Sequence, residues 1–335
     1  MSAIVCFGEL LVRLGVPDRG ILLQASRLDL HIGGAEANVA IALASLGHEA
    51  RMASVLPDNP LGEAARGHLR RYNVGTAGVR TGPGRMGLYF IAHGAGVRAS
   101  DILYDREGSA FALAGSGDFD WPQLLEGAQL LHLSGITPAL GERSARLAIE
   151  AAEAARTLGV PVSFDGNYRA NLWSRWDGDP RAILRELMGR ADVLFGNHRD
   201  ISLVLGRELP GDGAERRRSA SDAGFAAFPN LTLIASTARH VIDADTHRLS
   251  ARVDTPDAAA QTEDVTIAGI VDRIGTGDAF AAGVLHAMLR GEGAEAMART
   301  GLALAALKHS LAGDACTFGP RDIAAFLSGD LDVRR

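Results

Sequence analysis

Residues 271–283 read Val271-Asp272-Arg273-Ile274-Gly275-Thr276-Gly277-Asp278-Ala279-Phe280-Ala281-Ala282-Gly283, a glycine-rich turn followed by small and apolar residues. This composition predicts a helix that begins at the turn and runs to about Leu289. The first amides of such a helix have no acceptor within it, and Gly275 and Gly277 let the backbone approach a ligand closely. Because the positive end of the helix dipole adds to these free N–H groups, the turn predicts an anion-binding site.

Asp278 lies in the same turn. A carboxylate at the start of a helix is commonly a cap, but a cap requires neither the two glycines before it nor the small residues after it. Beside an anion site the carboxylate suits phosphoryl transfer. The amides hold the charge of the moving group, while Asp278 accepts the proton of the attacking hydroxyl. We interpret Asp278 as a catalytic base, with the cap as the alternative.

Short apolar runs alternate with amphipathic segments along the rest of the chain. The runs read as buried strands, and they lie at residues 4–7, 130–133, 162–164, 193–195 and 231–235. Residues 35–46 and 142–158 carry their apolar side chains at helical spacing. Strands separated by helices predict an α/β fold with a parallel sheet covered on both faces.

Two stretches, 10–32 and 87–106, interrupt this alternation, because they contain strand-like runs with no helix between them. Residues 87–93 and 98–106 predict a hairpin. We expect the segments 10–32 and 85–107 to form a small β-sheet lid inserted in an α/β body, within a single domain of residues 1–335. The last third is expected to be mostly helical, and residues 331–335 to be a frayed tail.

The composition excludes several classes of partner. The net charge is -6, and the run 216–218 of three arginines is interpreted as a solvated helix face, so no nucleic-acid partner is expected. No apolar run reaches the roughly 18 residues that a membrane span needs. Cys6 and Cys316 lack metal-ligand spacing, and no secretory signal is recognisable at the start, so we expect a cytoplasmic location.

The sequence excludes two common nucleotide-binding motifs, the dinucleotide-binding G-x-G-x-x-G loop and the Walker A loop. Residues 82–87 match G-x-G-x-x-G by letter, but a strand rather than a helix is predicted to follow them. A Walker A loop needs a lysine before Ser or Thr, and the only lysine, Lys308, lies between Leu307 and His309. The chain is therefore neither a dinucleotide-binding Rossmann protein of that type nor a P-loop NTPase.

The turn at 275–278, followed by Ala-Phe, resembles the C-terminal signature of the PfkB carbohydrate kinases. Residues 30–40, Leu30-His31-Ile32-Gly33-Gly34-Ala35-Glu36-Ala37-Asn38-Val39-Ala40, resemble the N-terminal signature of that family. The likeness covers nearly the whole chain. It implies a ribokinase-like, Rossmann-type three-layer α/β body whose lid closes over a sugar. It also implies ATP and Mg²⁺ as cofactors, a homo-oligomer formed through the lid and, as in some relatives, a monovalent cation near Asp272.

The resemblance also implies roles for individual residues. The catalytic turn would comprise Gly275, Thr276, Gly277 and Asp278. The sugar would contact Gly33, Gly34, Asn38, Tyr89, Tyr104, Arg106, Ile136, Arg169 and Asp314. The nucleotide would contact Asn197, Ser236, Arg239, Gly275, Gly277 and Lys308. From the residues alone, Gly33-Gly34 reads as a helix-entry turn, and Lys308 as a structural residue.

Two segments depart from the family pattern. Asn197-His198-Arg199-Asp200 stands where the family has Asn-x-x-Glu, a motif linked to Mg²⁺ and phosphate. Asp200 is one methylene shorter and would bind the ion through water; the alternative is an Asn-capped helix start. Residues 234–240 lack the glycine that the family carries in its nucleotide-side turn.

Residues 164–173, Phe164-Asp165-Gly166-Asn167-Tyr168-Arg169-Ala170-Asn171-Leu172-Trp173, resemble the corresponding segment of 2-keto-3-deoxygluconate kinases. Arginine offers a planar bidentate fork for the carboxylate of a sugar acid, whereas a neutral hexose would leave it partly unpaired. The expected reaction is phosphorylation of the primary hydroxyl of 2-keto-3-deoxygluconate, with Arg106 and Arg169 as anchors. A fructokinase or other PfkB sugar kinase is the alternative enzyme, and a non-catalytic sugar-binding regulatory protein is the alternative of another class.

Overall fold

The computed structural model describes residues 2–211 and 213–329. The predicted tail at 331–335 lies outside the described residues. Within them, strands β1–β14 span Ala3–Phe7, Leu11–Val16, Asp29–Gly33, Ala50–Pro57, Gly75–Gly82, Gly87–Ala92, Asp101–Asp105, Ala128–Ser134, Val162–Asp165, Val193–Phe195, Leu233–Val241, Thr246–Asp254, Ala259–Gln261 and Val265–Ala268. Helices α1–α11 span Ala35–Ser45, Pro60–Arg71, Trp121–Leu124, Glu142–Thr157, Ala170–Trp173, Pro180–Met188, His198–Leu205, Gly213–Ala227, Thr276–Leu289, Ala294–Lys308 and Pro320–Ser328.

The larger sheet has the strand order β13-β12-β11-β10-β9-β8-β1-β4-β5, and β14 also pairs with β12. The strands from β11 to β5 in this order are parallel, and β12 joins the sheet antiparallel to β11. Successive side chains of a strand point to opposite faces. Ile4 and Cys6 accordingly pack in one apolar core with α1, α9 and α10, whereas Val5 and Phe7 pack in a second core with α4 and α6. The predicted α/β fold with helices on both faces is confirmed.

The smaller sheet has the order β3-β2-β6-β7. Strand β2 is antiparallel to β3 and parallel to β6, and β6 and β7 form the expected hairpin. These strands lie almost entirely within the segments expected to form the lid. Their action as a lid stays a prediction.

Two local expectations need correction. The arginine run at 216–218 lies on α8, but it is not simply solvated. Arg218 pairs with Asp222 and Asp254, and the Nε and Nη1 atoms of Arg217 are buried without a hydrogen-bond partner among the described residues. The strand expected at 231–235 begins at Leu233 and continues to Val241 as β11. No helix in the described residues is both long and apolar enough to cross a membrane.

Candidate active site

A cleft of about 1310 Å³ lies between the two sheets, where the carboxyl ends of β9, β10 and β11 meet α9. Ligands bind at this edge of open α/β sheets because the strand ends and helix N-termini converge there. The predicted site residues that line the cleft are Gly34, Asn38, Tyr89, Tyr104, Arg106, Ile136, Arg169, Asn197, Asp200, Ser236, Arg239, Gly275, Thr276, Gly277, Asp278 and Asp314. Gly33 and Lys308 do not line it.

Asp278 is the third residue of α9, whose N-cap is Gly275 in the left-handed region at φ 79°. No side chain caps this helix, and no acceptor is found for the amides of Thr276, Gly277 and Asp278 in the described part of the chain. The carboxylate instead accepts a hydrogen bond from Asn38, with Nδ2 2.7 Å from Oδ2. The capping alternative is therefore wrong, and the open amides lie beside a carboxylate that faces the cleft.

The pKa of Asp278 is raised from 3.8 to about 8, mainly by burial and also by the charges of Asp165, Glu36 and Asp314, and this is the net value after the lowering by the hydrogen bond from Asn38. A general base works best with a pKa near the pH at which it operates. The surroundings of Asp278 thus give a carboxylate the basicity that proton abstraction from a hydroxyl requires.

Gly33 and Gly34, which precede α1, lie so close to neighbouring atoms that neither position has room for a side chain. A Cβ on Gly33 would lie 2.2 Å from Oδ2 of Asp314, and a Cβ on Gly34 would lie 2.3 Å from the carbonyl oxygen of Glu9. Gly34 is also the N-cap of α1, at φ 148°. The interpretation of this pair as a helix-entry turn holds for Gly34, which caps α1. Gly33 does not line the cleft, so the structure does not support its predicted sugar contact, and its missing side chain leaves room for the carboxylate of Asp314.

The small sheet contributes aromatic and polar side chains to the cleft. Tyr89 and Tyr104 are partners on β6 and β7, and the hydroxyl of Tyr89 donates to Oδ2 of Asp314 over 2.6 Å. Arg106 follows β7 and is 4% exposed. Its Nε and Nη2 donate to the same oxygen of the buried Glu9, over 2.6 and 2.5 Å respectively. Much of the Arg106 guanidinium is thus already bound by the protein.

Six other arginines line the cleft, at positions 169, 199, 216, 217, 239 and 273, and the charge of Arg169 also acts on the nearby Asp165 and Asp200. Arg169, Arg239 and Arg273 line it, and none of them has a salt-bridge partner among the described residues. Partial burial, together with Arg273 and Arg169, lowers the pKa of Arg239. Guanidinium groups that repel one another in this way favour an anionic ligand, which would relieve the repulsion.

Two carboxylates lie beyond the carboxyl ends of the neighbouring strands β9 and β10, one as the last residue of β9 and the other in the first turn of α7. Asp165 ends β9, and Asp200 caps the amide of Asn197 at the start of α7 with Oδ2 2.8 Å from N. Burial and the charge of Asp200 raise the pKa of Asp165 to about 7, and burial raises the pKa of Asp200. The predicted Asn-capped helix start is confirmed. A hard cation bound through water remains compatible with it, since it would relieve the repulsion between the carboxylates.

Residues 1–316 match the family described as pfkB family carbohydrate kinase. The chain belongs to that family. A 2-dehydro-3-deoxygalactonokinase of Haloferax volcanii is 32% identical over 332 residues, covering 98% of this chain and 97% of the relative. A probable chloroplastic fructokinase of Arabidopsis thaliana is 29% identical over 285 residues, covering 84% of this chain and 69% of the relative. The crystal structure of a 2-dehydro-3-deoxygluconokinase from Thermotoga maritima has a TM-score of 0.93 at 37% identity, covering 98% of this chain and 100% of that chain.

Lys308 of this carbohydrate kinase is placed where it cannot serve the nucleotide. The side chain is fully buried, and Nζ donates to the carbonyl oxygen of Leu311 over 3.0 Å. The structure therefore does not support the predicted nucleotide contact for Lys308. It favours the structural alternative, in which the ammonium fixes the loop that precedes Asp314.

Several residues that line the kinase's cleft or support it from behind were not predicted from the sequence. Glu9, which follows β1, holds Arg106, and Arg273 and Thr237 line the cleft. Glu36, in the first turn of α1, is 1% exposed and accepts a hydrogen bond from Thr137. The position of Glu9 directly after a buried strand was a usable signal, because the carboxyl ends of parallel strands meet at the ligand-binding edge.

The pH dependence of the kinase should report on Asp278 and Asn38. A base must be deprotonated, so we expect kcat/KM to rise with pH through about 8, the pKa of Asp278 in the free enzyme. The Asn38 amide stabilises the ionised carboxylate, so Asn38→Ala should move this rise to higher pH. A pH series of kcat/KM for both proteins checks this, with circular dichroism to confirm folding. A profile that does not move contradicts the assignment.

Proposed function

We propose that this kinase transfers a phosphoryl group from MgATP to the primary hydroxyl of 2-keto-3-deoxygluconate. The observation that carries the proposal is the position of Asp278. Its raised-pKa carboxylate lies beside the open amides of α9 in a cleft lined by unpaired arginines. A proton acceptor next to an anion-binding helix start provides both groups that the reaction needs.

In the proposed mechanism, Asp278 accepts the proton of the attacking hydroxyl. The amides of Thr276, Gly277 and Asp278 and the dipole of α9 stabilise the charge on the transferring group. Asp165 and Asp200 would hold Mg²⁺ through water, and the bound ion would neutralise phosphate charge. The small sheet covers the acceptor side and excludes water, which reduces wasteful hydrolysis of ATP.

The unpaired arginines support an acidic acceptor. Arg169 follows β9 in the segment that resembles the 2-keto-3-deoxygluconate kinases, and the bond found for its guanidinium goes to the carbonyl oxygen of Tyr168. It is therefore available for the carboxylate of a sugar acid. Arg106 is a weaker candidate than the sequence indicated, since Glu9 binds its Nε and Nη2, and we assign it mainly to shaping the pocket.

Removing the charge of Arg169 should weaken the binding of acids selectively. We expect Arg169→Met to raise KM for 2-keto-3-deoxygluconate roughly 10- to 100-fold, because a charged hydrogen bond contributes about 1.5–3 kcal/mol. ADP release against a panel of keto-deoxy sugar acids and neutral sugars measures this. Arg146→Met, which removes an exposed arginine paired with Glu142 on α4, is the matched control. Faster turnover of fructose than of any keto-deoxy acid by the unmodified enzyme would overturn the substrate assignment.

The same panel separates the alternatives. Relatives are named as galactonate-type, gluconate-type and fructose kinases, so both epimers of the keto-deoxy acid and fructose belong in it. A non-catalytic sugar-binding protein would show binding by calorimetry without ADP release. The open amides beside Asp278 argue against that alternative, because they have no function in binding a sugar alone.

A monovalent cation near Asp272 is the least supported cofactor. Oδ1 of Asp272 accepts from the amide of Ile274, and Oδ2 binds both the amide of Gly313 and the guanidinium of Arg13. Both oxygens of this carboxylate thus already have partners within the protein. We propose that activity does not require K⁺, and replacing K⁺ by tetramethylammonium in the assay tests this.

The outer face of the small sheet supports a homo-oligomer. Leu30, Leu14, Phe90 and Leu103 form a continuous apolar row across its four strands, and Leu30 and Leu103 are exposed. A second copy would cover this row, since exposed apolar patches commonly mark interfaces. Light scattering that gives a monomer mass at assay concentration would contradict the proposal.

We also propose a cytoplasmic location. Cys6 and Cys316 are both free and buried, which suits a reducing compartment. Cell fractionation with detection of the protein tests the proposal, and recovery outside the cytoplasm would contradict it.

A further inference from the structure

Arg13 lies on β2, between β3 and β6 in the small sheet, and its side chain is 3% exposed. The guanidinium points away from the small sheet, and its two carboxylate partners belong to the α/β body. Nη2 is 2.6 Å from Oδ2 of Asp272, and Nη1 is 2.8 Å from Oδ1 of Asp314. Nη2 also lies 2.7 Å from Nε2 of His93, which follows β6. One buried cation therefore joins two carboxylates that are distant in sequence.

Each of these carboxylates fixes one side of the catalytic turn. Asp272 holds the entrance of the turn, because Oδ1 accepts from the amide of Ile274 over 2.9 Å. Oδ2 of Asp272 accepts from the amide of Gly313 over 3.1 Å, which joins the turn to the loop at 311–314. The carboxylate of Asp272 thus connects the turn at 272–275 to the loop at 311–314, and Arg13 bonds to a carboxylate of each segment.

The backbone of Asp314 packs against the other side of the turn, at Gly275. Its carbonyl oxygen lies 1.9 Å from the position that a Cβ on Gly275 would occupy, so the two backbones are in direct contact. Its carboxylate also accepts from the hydroxyl of Tyr89, a residue that lines the acceptor side of the cleft. A shift of Asp314 would therefore move the start of α9 as well as the acceptor pocket.

Arg13 itself does not line the cleft and so does not touch a ligand there. Asp272 and Asp314 are 2% and 3% exposed, so their like charges would repel each other strongly without a cation in contact with both. The buried Lys308 also lies close enough for both charges to act on it, but its Nζ donates to the carbonyl oxygen of Leu311, and Arg13 is the cation that bonds to both carboxylates. A single arginine satisfies both because its planar fork offers separate donors at fixed spacing. Lysine has only one nitrogen and cannot span both oxygens in the same way.

We propose that Arg13 is a positioning residue that ties the small sheet to the phosphoryl-binding turn, so that the acceptor and phosphoryl sides of the cleft are set as one unit. The proposal rests on the proposed catalytic role of the turn at 275–278 but not on the identity of the acceptor. Its consequence is specific. Loss of Arg13 should displace the turn relative to the bound acceptor, and a misplacement of about 1 Å costs on the order of a hundredfold in rate.

The experiment compares Arg13→Met and Arg13→Lys with the unmodified enzyme, using whichever acceptor that enzyme turns over. We expect Arg13→Met to lower kcat about tenfold or more, with a smaller change in KM for the acceptor, because Arg13 does not line the cleft and acts on the acceptor pocket only through Asp314. Arg13→Lys should lower kcat less than Arg13→Met but still by more than about twofold, because its single nitrogen cannot span both carboxylates. Arg85→Met is the matched control, because Arg85 pairs with Asp105 at the exposed edge of the same sheet; its kcat should be unchanged.

A charge-balanced double variant, Arg13→Met with Asp272→Asn, separates positioning from general stability. It removes one buried carboxylate, so we expect thermal stability to recover relative to Arg13→Met, while kcat stays low because the tie between sheet and turn is still missing. Recovery of both stability and kcat would show a merely structural role and overturn the proposal.

Two other results would also overturn the proposal. One is a folded Arg13→Met with kcat within about twofold of that of the unmodified enzyme, and the other is an Arg13→Lys with kcat in the same range. If Arg13→Met does not fold, Arg13→Lys and the double variant decide the question. An unmodified protein inactive on every acceptor would instead contradict the proposed function.

Discussion

Asp278→Asn is expected to lower kcat by roughly a hundredfold to ten-thousandfold, which is the contribution of a positioned general base. The amide has the same shape as the carboxylate but cannot accept a proton at neutral pH. It can still accept the hydrogen bond from Asn38, so the fold and the start of α9 should be preserved. Steady-state ADP release with the preferred acceptor measures the loss.

The same variant should be more stable than the unmodified enzyme at alkaline pH. The pKa of Asp278 is raised from 3.8 to about 8 in the folded protein, so the unfolded chain releases this proton at lower pH than the folded one. The contribution to stability is thus fully present below about 4 and is lost as the pH rises through about 8. Asparagine does not ionise and avoids this loss. Thermal midpoints at pH 5 and pH 9 should therefore differ less for Asp278→Asn than for the unmodified enzyme.

Asp222→Asn is the matched control, because Asp222 is an exposed carboxylate on α8 that pairs with Arg218. It should leave kcat unchanged. If Asp278→Asn kept kcat within about tenfold of the unmodified enzyme, Asp278 would not be the base. If it also gained no relative stability at high pH, the pKa of Asp278 would not be raised in the folded protein.

The sequence predicted the turn at 275–278 and the helix after it because their properties are local. Two glycines, the free amides of a helix start and a run of small residues are adjacent in the chain, and α9 begins at Thr276 as these features require. The alternation of apolar runs and amphipathic segments gave the parallel sheet in the same way. The hairpin of β6 and β7 also followed from a local pattern, with the turn glycines between the two strands.

The contacts that tune the site could not be predicted, because they join distant parts of the chain. Asn38 and Asp278 are 240 residues apart, and Arg13 and Asp314 are 301 residues apart. No spacing pattern in one sequence reports such pairs. For the same reason the sequence indicates Arg106 as an anchor for the substrate and does not reveal that the buried Glu9 binds its Nε and Nη2.

The missed strands have a different explanation. Strands β12–β14 close the antiparallel edge of the main sheet and mix polar with apolar residues, so they do not form the continuous apolar runs that identified the central strands. Strand β5, at the other edge, is exposed along much of its length. Strands β5, β13 and β14 are partly exposed, and their sequences therefore resemble those of loops. Strand β12 is mostly buried between β11 and β13, and its polar side chains alone explain why it was missed.

Gly275→Ala should have an effect on kcat comparable to the loss of the base. The new Cβ would lie 1.9 Å from the carbonyl oxygen of Asp314, so one backbone segment must move. The residue is also held at φ 79°, where a non-glycine residue costs about 1–2 kcal/mol. We expect kcat to fall about a hundredfold or more, because the amides that receive the phosphoryl group begin at the next residue and would be displaced with the turn.

Gly291→Ala separates the displacement from backbone strain alone. Gly291 has φ 74° and no atom within 4 Å of its would-be Cβ, so alanine there carries the same conformational cost without a clash. Both variants should lose thermal stability, but Gly291→Ala should keep kcat near that of the unmodified enzyme. Equal kcat in the two variants, with equal losses of stability, would mean that the turn tolerates displacement. The open amides of α9 would then be a consequence of the fold rather than the site at which the phosphoryl group is held, because a site that binds a transition state must lose rate when its donors move.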